Sequence, residues 1–366
     1  MATEPLRIGV VGVGFGALVQ IPGFLSEGVE VVAVCSRREE RARAAAEKFG
    51  IPHVFTDYNQ MLESPYLDAV SIVTPLPLHK PFSIAALEAG KHVMCEKPFT
   101  MSQQGAKEML DAAQSHSHLT AMVSHGFRWA PQRAFVKELL EEGYIGKFHF
   151  FQANLFTNPR RAAQPPALPP EADFGQRGGM LWNQGSHYID AFRHWFGDIV
   201  NVTGKVTSHL PERTDPATGL IRHTETDDSF SFTMEFANGG WGTMTASTVA
   251  HAGQGAMIEI FGSEGSLVTP QALPGRNPLP DGLVHGGKVG DSERQVIPMP
   301  ERHRPFDDER DQRLMAFRMM VREFTRGVRE GTSPSPNFYD GYRCQQVLDA
   351  VVESSQTGQR VEIPLS

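Results

Sequence analysis

The sequence predicts an α/β chain: a doubly wound parallel sheet first, then an α+β domain on an open, largely antiparallel sheet. Two observations predict the first part. Short apolar runs alternate with helical segments from residue 6 to about 125, and a glycine-rich turn directly follows the first run. One observation predicts the second: after about residue 127 the apolar residues alternate singly along each run, as in a sheet with one buried face.

In order, LRIGVVGVG reads as a strand entering the glycine turn, VEVVAVCS as a second strand, and EERARAAAEKFG as a helix stopped by Gly50. LDAVSIVTP is a third strand, PFSIAALEAG a helix ending at Gly90, and KHVMCEKP a fourth strand. A helix around GAKEMLDAAQ then leads to the strand-like LTAMVSHGF. Strand, helix, strand at these intervals means right-handed crossovers and a sheet covered on both faces. Beyond 126/127, PQRAFVKELLEEG is a helix and KFHFFQANLF a strand, and after a proline-rich loop a helical segment runs from Met180 to about Phe196. Strands follow at VNVTGKVTSHL, DDSFSFTMEF, GGWGTMTASTV and AMIEIFG, with a turn and short strand at GSEGSLV. Residues 270–310, rich in Pro, Gly and charge, read as an irregular excursion. Two helices, LMAFRMMVREFTRGV and GYRCQQVLDAVVESSQTG, precede a closing strand, QRVEIPL. The chain divides into 1–126 and 127–366.

With 366 residues, a prior of about 150 residues per domain also gives two domains. Hydrophobic residues at 40% and charged residues at 21% supply a core and exclude disorder by composition. The net charge of −8 argues against nucleic acid or an anionic membrane as the main partner. Cys35, Cys95 and Cys344 have no zinc spacing, and no metal site is expected. No apolar run approaches the roughly 20 residues that span a bilayer. The start, MATEPLRIGVVG, does not read as a signal peptide, so the expected compartment is the cytoplasm.

Gly12-Val13-Gly14-Phe15-Gly16-Ala17 follows a strand and opens a helix. Gly12 permits the tight turn, Gly14 lets a pyrophosphate approach the backbone, and Ala17 is the small residue where helix meets strand. Free N–H groups at the helix start then face the phosphates. This predicts a dinucleotide-binding (Rossmann) domain over 1–126. At the ribose position stands Cys35-Ser36-Arg37-Arg38, with no carboxylate. Ser36 and an arginine suit a 2′-phosphate, which favours NADP over NAD. The same arginines also read as the start of a solvent-facing helix, continued by Glu39, Glu40, Arg41 and Arg43.

Ligands in such sheets bind outside the carboxyl ends of the strands. Those ends carry Thr74-Pro75 with His79 nearby, Glu96-Lys97-Pro98, and His125. Lys97, fixed by the following proline, can polarise a substrate oxygen or exchange a proton with it. By residue type alone, a surface lysine in a turn is the commoner situation. A second constellation is Gly178-Gly179-Met180-Leu181-Trp182-Asn183-Gln184-Gly185-Ser186-His187-Tyr188-Ile189-Asp190. On a helix, Asn183 and His187 share a face, and Asp190 either orients the imidazole or belongs to the interdomain packing. The loop 159–176, with Arg160, Arg161 and the adjacent Arg177, reads either as a pocket cover that binds a carboxylate or phosphate or as a solvated or subunit-contact loop.

Taken together, the Gly12-Val13-Gly14 turn, Thr74-Pro75, Glu96-Lys97-Pro98, the Gly178 to Asp190 run and the closing Thr357-Gly358-Gln359-Arg360-Val361 resemble the glucose–fructose oxidoreductase/inositol dehydrogenase (Gfo/Idh/MocA) family over nearly the whole chain. The resemblance implies hydride transfer between a nicotinamide and a hydroxyl or carbonyl carbon of a sugar, cyclitol or related diol. It implies Lys97 and His187 as catalytic residues and Lys97, Arg128, Asn183 and His187 as substrate contacts. Gly12, Gly14, Phe15, Gly16, Ser36, Arg37, Arg38, Thr74, Pro75, His79, Glu96 and Lys97 would line the cofactor. Many members carry an aspartate where this chain has Asn183, and an amide cannot shuttle a proton. A homodimer or homotetramer, formed through the second domain's open sheet, is expected. Two other activities fit the same resemblance: a glycosidase that keeps NAD bound and oxidises transiently, and a non-catalytic dinucleotide-sensing regulator.

Overall fold

The computed structural model describes residues 5–157, 167–168, 175, 177–251, 253, 255–270 and 282–365. The chain forms two compact units, 1–129 with 304–345, and 130–303 with 346–366. The division at 126/127 assigns 304–345 to the second part of the chain, whereas by contact these residues belong with the first unit.

The first unit is built on six parallel strands. In chain order they and their helices are β1 (Arg7–Val11), α1 (Ile21–Ser26, entered through a wide π-helical turn Gly16–Gln20), β2 (Glu30–Cys35), α2 (Glu39–Phe49), β3 (His53–Phe55), α3 (Tyr58–Leu62), β4 (Ala69–Ile72), α4 (His79–Glu88), β5 (His92–Cys95), α5 (Gln103–Ser115) and β6 (Ala121–Val123). The strand order β3-β2-β1-β4-β5-β6 places the reversal of winding between β1 and β4, where a doubly wound sheet opens a crevice. Strand β3 and helix α3 are additional to the elements expected from the sequence. A three-residue strand carries too little periodicity to announce itself.

The second unit adds α6 (Pro131–Glu141), β7 (Phe148–Phe156), a π-helical turn Leu181–Gly185 running into α7 (Ser186–Phe196), β8 (Ile199–Thr207), β9 (Glu212–Thr214), β10 (Ile221–His223), β11 (Ser229–Phe236), β12 (Trp241–Ser247), β13 (Gly255–Gly262), β14 (Gly265–Pro270), β15 (Val284–Lys288) and β16 (Gln295–Ile297). With β17 (Val361–Glu362) they form a nine-stranded sheet, β16-β15-β14-β13-β7-β12-β11-β8-β17, and a separate β9–β10 hairpin. Only β7 and β12 pair in parallel; the other pairs are antiparallel, as expected. Strands β15 and β16 fall in the stretch read as irregular, and the hairpin was not foreseen. On β11, Phe230, Phe232, Met234 and Phe236 are buried while the residues between them face outward, the alternation that predicted this sheet. Phe192 and Phe196 of α7 pack on Phe151 of β7 with ring centroids 4.3 and 5.4 Å apart.

Two helices follow, α8 (Leu314–Glu330) and α9 (Phe338–Thr357). Leu314, Phe317, Met320, Val321 and Phe324 of α8 join α1 and α2 over Ile8, Val10, Met94 and Met122, a face of the parallel sheet that α1 and α2 alone leave short of cover. Gly23 on α1 makes this possible: a Cβ there would lie 2.3 Å from the Phe317 ring.

Candidate functional site

In the first unit the carboxyl ends of β1, β4 and β5 lie side by side. Gly12 has φ +100°, and a Cβ on it would lie 2.2 Å from the Val73 carbonyl oxygen, so the turn presses directly against the end of β4. Gly16 is the close-packing glycine, its missing Cβ 2.9 Å from Val10, a role the sequence reading gave to Ala17. Around Gly14 a Cβ would meet nothing within 4 Å. The turn therefore offers a bare backbone facing open space at a helix start, which fits a pyrophosphate. Phe15 is exposed beside it, with the Arg313 guanidinium 5.1 Å from its ring centre. Gly14→Ala should leave thermal stability within about 0.5 kcal/mol of wild type, because the methyl has room. It should raise the dinucleotide dissociation constant at least roughly tenfold, because the methyl takes the phosphate's space. A titration with unchanged affinity would remove Gly14 from the cofactor site.

At the end of β2 the Ser36 hydroxyl accepts the Arg38 N–H at 3.2 Å, shaping the start of α2. Arg37 and Arg38 are exposed, and among the described residues neither side chain has a hydrogen bond or ion pair. Across the crevice, His79 is buried, with Nδ1 2.9 Å from the Pro98 carbonyl and Nε2 2.9 Å from the Thr74 carbonyl. Burial holds its pKa below the ordinary imidazole value against the pull of these carbonyls. His79 thus ties the Thr74-Pro75 end of β4 to the loop after Lys97. Glu96 accepts Gln20 Nε2–H on Oε1 at 2.7 Å and the Lys97 backbone N–H on Oε2 at 3.1 Å. Burial raises its carboxyl above the usual range, while the Lys97 charge and the Gln20 bond pull it back. Arg128 is buried and committed to Ser335 and, at 3.3 Å, to Asp340, which ties the turn after β6 to the start of α9.

In the second unit the helical segment forms where expected. Its first turn, Leu181–Gly185, is the wide π form, a local insertion common at functional sites. Asn183 is exposed and His187 is buried at 9% exposure, one turn apart on neighbouring positions of the same face. Asp190 is fully buried and lies in the field of Arg133, whose guanidinium also bonds Tyr188 and sits 4.9 Å from its ring centre. That places Asp190 in a buried polar cluster between α6 and α7. The start of the segment is held by Asp227: Oδ2 accepts the Leu181 N–H at 2.9 Å, and its carbonyl accepts the Met180 N–H at 3.1 Å. Gly179 is bare because a Cβ would stand 1.7 Å from Asp227 Oδ1, so the close neighbour its sequence anticipated is this carboxyl. Burial pushes the Asp227 carboxyl up to about 7. Arg177 lies over Trp182 with 5.7 Å to the ring centre; Arg160 and Arg161 lie outside the described residues.

A family profile described as an oxidoreductase family with an NAD-binding Rossmann fold matches residues 6–125, and that of the GFO/IDH/MocA C-terminal domain matches residues 134–268. The chain belongs to the GFO/IDH/MocA oxidoreductase family. As a GFO/IDH/MocA member it is a nicotinamide-dependent enzyme. It is 27% identical to levoglucosan dehydrogenase of Pseudarthrobacter phenanthrenivorans, covering 99% of each chain, and 28% identical to D-glucoside 3-dehydrogenase of Escherichia coli, again covering 99% of each. Among solved structures, levoglucosan dehydrogenase in complex with NADH superposes with a TM-score of 0.87 at 26% identity, over 99% of this chain and 100% of that one. An oxidoreductase domain protein from Kribbella flavida superposes with a TM-score of 0.88 at 28% identity, over the same shares. Among the described residues no helix is long and apolar enough to cross a membrane, and no group of three or more His, Cys, Asp or Glu side chains is arranged to hold a metal ion.

Two residues of this GFO/IDH/MocA chain escaped the sequence reading, Gln20 and Asp227. Neither has a motif of its own. Gln20 is a polar residue in an apolar stretch, the one available signal; Asp227 is the first acid of the Asp-Asp pair before β11.

Proposed function

We propose that the enzyme interconverts a secondary hydroxyl and a ketone on a sugar, cyclitol or related polyol, with Lys97 as the catalytic residue. The observation that carries this is the position of Lys97: it comes one residue after Glu96, just beyond the end of β5, the strand that pairs with β4, on a segment anchored by Glu96 and His79. Nicotinamide, when bound, supplies the hydride chemistry. Lys97 Nζ receives the proton of the substrate hydroxyl during oxidation and returns it during reduction. In reduction the protonated Nζ, a cation, favours the negative charge that develops on the carbonyl oxygen before it gives up the proton. Asn183 donates and accepts hydrogen bonds with substrate hydroxyls, and His187 contacts the substrate as a second proton-bearing group. Relatives named for levoglucosan and D-glucosides support a pyranose-like substrate.

NADP is the cofactor in this reading. Arg37 and Arg38 are exposed and uncommitted beside Ser36, and no carboxylate stands there to repel a 2′-phosphate. A homodimer or homotetramer is part of the same proposal, measurable by sedimentation velocity.

Fluorescence titration with NADPH and NADH, then an absorbance screen over anhydro-sugars, glucosides and cyclitols, tests the reading. NADPH should bind at least about tenfold more tightly than NADH, since each charge-assisted phosphate contact adds roughly 1.5–3 kcal/mol. Tighter NADH binding would leave the arginines as the plain start of α2. Cofactor binding without turnover of any polyol would overturn the proposed reaction.

A further inference from the structure

Gln20 ends the π-helical turn that carries the chain from the glycine turn into α1, and it is completely buried. A buried amide must spend both ends on partners. Gln20 does so across two strands: its Oε1 accepts the Ser71 hydroxyl of β4, and its Nε2–H donates to Glu96 Oε1 at 2.7 Å, beyond β5. Glu96 then uses its other oxygen to accept the backbone N–H of Lys97 at 3.1 Å. The polarity of this chain has one solution. The carboxylate only accepts, so the amide nitrogen faces Glu96 and the amide oxygen faces Ser71.

We propose that Gln20 is a positioning residue, which locks the Glu96-Lys97-Pro98 strand end to the helix that follows the dinucleotide turn and so sets where Lys97 stands. The proposal rests on Lys97 being the catalytic group. Gln20 touches neither substrate nor cofactor in it; it acts through Glu96. Around Glu96 the charged or titratable neighbours are Lys97 and Cys95 on its own segment. From other elements, Gln20 brings a neutral hydrogen bond, and the Ser124 hydroxyl lies close enough to favour the charged carboxylate.

The swap of the two side chains makes the test sharp. Gln20→Leu keeps the volume but strands one carboxylate oxygen and one hydroxyl. It should lower kcat at least about tenfold through misplacement of Lys97, with the dinucleotide dissociation constant within about threefold, because the backbone N–H groups of the turn are untouched. Gln20→Glu sets two carboxylates against each other, which then share a proton, so its kcat deficit should grow from about pH 6 to pH 8, a dependence Gln20→Leu lacks. Gln20→Glu combined with Glu96→Gln rebuilds the chain with the 20–96 bond reversed: the carboxylate at 20 accepts from Ser71 and from the amide at 96, whose oxygen still accepts the Lys97 N–H. This double variant should recover kcat to within about threefold of wild type.

A Gln20→Leu enzyme of wild-type kcat would overturn the proposal. So would a double variant no faster than Gln20→Glu alone, a comparison that survives even if Gln20→Leu fails to fold. Lys97→Met in the same assay separates the two ideas. Full activity there takes down the reading of Lys97, whereas an inactive Lys97→Met beside an unimpaired Gln20→Leu takes down only the positioning role.

Discussion

Lys97→Ala is expected to lower kcat by about 10²- to 10⁴-fold, the usual weight of a positioned proton-transfer group, and to leave dinucleotide affinity within about threefold. The split follows from geometry. The phosphates would be held by the backbone of the Gly12–Gly16 turn, whose shape is set by Gly12 against the Val73 carbonyl and Gly16 against Val10. An interaction made only at the reacting oxygen appears in kcat, not in cofactor binding. Lys97→Arg should not rescue turnover, because guanidinium keeps its proton throughout the accessible pH range and so cannot take one from a hydroxyl. Stopped-flow turnover and fluorescence titration on the same preparations check both halves. Retention of kcat within about tenfold in Lys97→Ala would mean that the chemistry lies elsewhere.

The residues that were legible in the sequence share one property: their meaning is local. Gly12 and Gly14 belong to a strand–turn–helix that forms as their spacing predicts, and Lys97 stands just beyond the strand end where the sequence puts it. The helix bearing Asn183 and His187 was legible for the same reason. What escaped depends on partners far along the chain. The apolar stripe of α8 announces a buried face but not the sheet it covers, and that sheet belongs to strands at the other end of the chain, Arg7–Val11 to Ala121–Val123. His79 is among the predicted cofactor residues, and the sequence gives no sign of the two partners its ring has, the Thr74 and Pro98 carbonyls. Asp190 offered two readings, and only the approach of Arg133 from α6 places it in a buried cluster. Arg128 is likewise claimed by Asp340 and Ser335 from the far end of the chain. Short elements, β3, the β9–β10 hairpin, β15 and β16, were missed because pairing with a neighbour, not periodicity, makes them strands.

Asp227→Asn is expected to flatten part of the protein's stability–pH curve. In the unfolded chain this carboxyl titrates near its ordinary value of 3.8, and in the folded protein burial moves it to about 7. Between those values the folded state holds a proton that the unfolded state has released, so stability falls as pH rises through the window. The loss is complete above about pH 7 and amounts to at most about 4 kcal/mol, three pKa units at 1.36 each. Asparagine cannot ionise, yet its side-chain oxygen can still accept the Leu181 N–H that caps the helix. The amide places a donor where Oδ1 now lies without a hydrogen-bond partner against Gly179, a cost of about 1–3 kcal/mol that does not change with pH. The two curves should therefore differ by a constant at about pH 4 and converge or cross towards pH 8, a relative shift of several degrees in melting temperature. Trp182, Trp195 and Trp241 all lie in the unit that contains Asp227, with Trp129 alone in the other, so intrinsic fluorescence follows the relevant transition. Parallel curves for the two proteins would show that Asp227 titrates alike in both states. The helix carrying Asn183 and His187 would then be capped by a carboxylate that stays charged throughout.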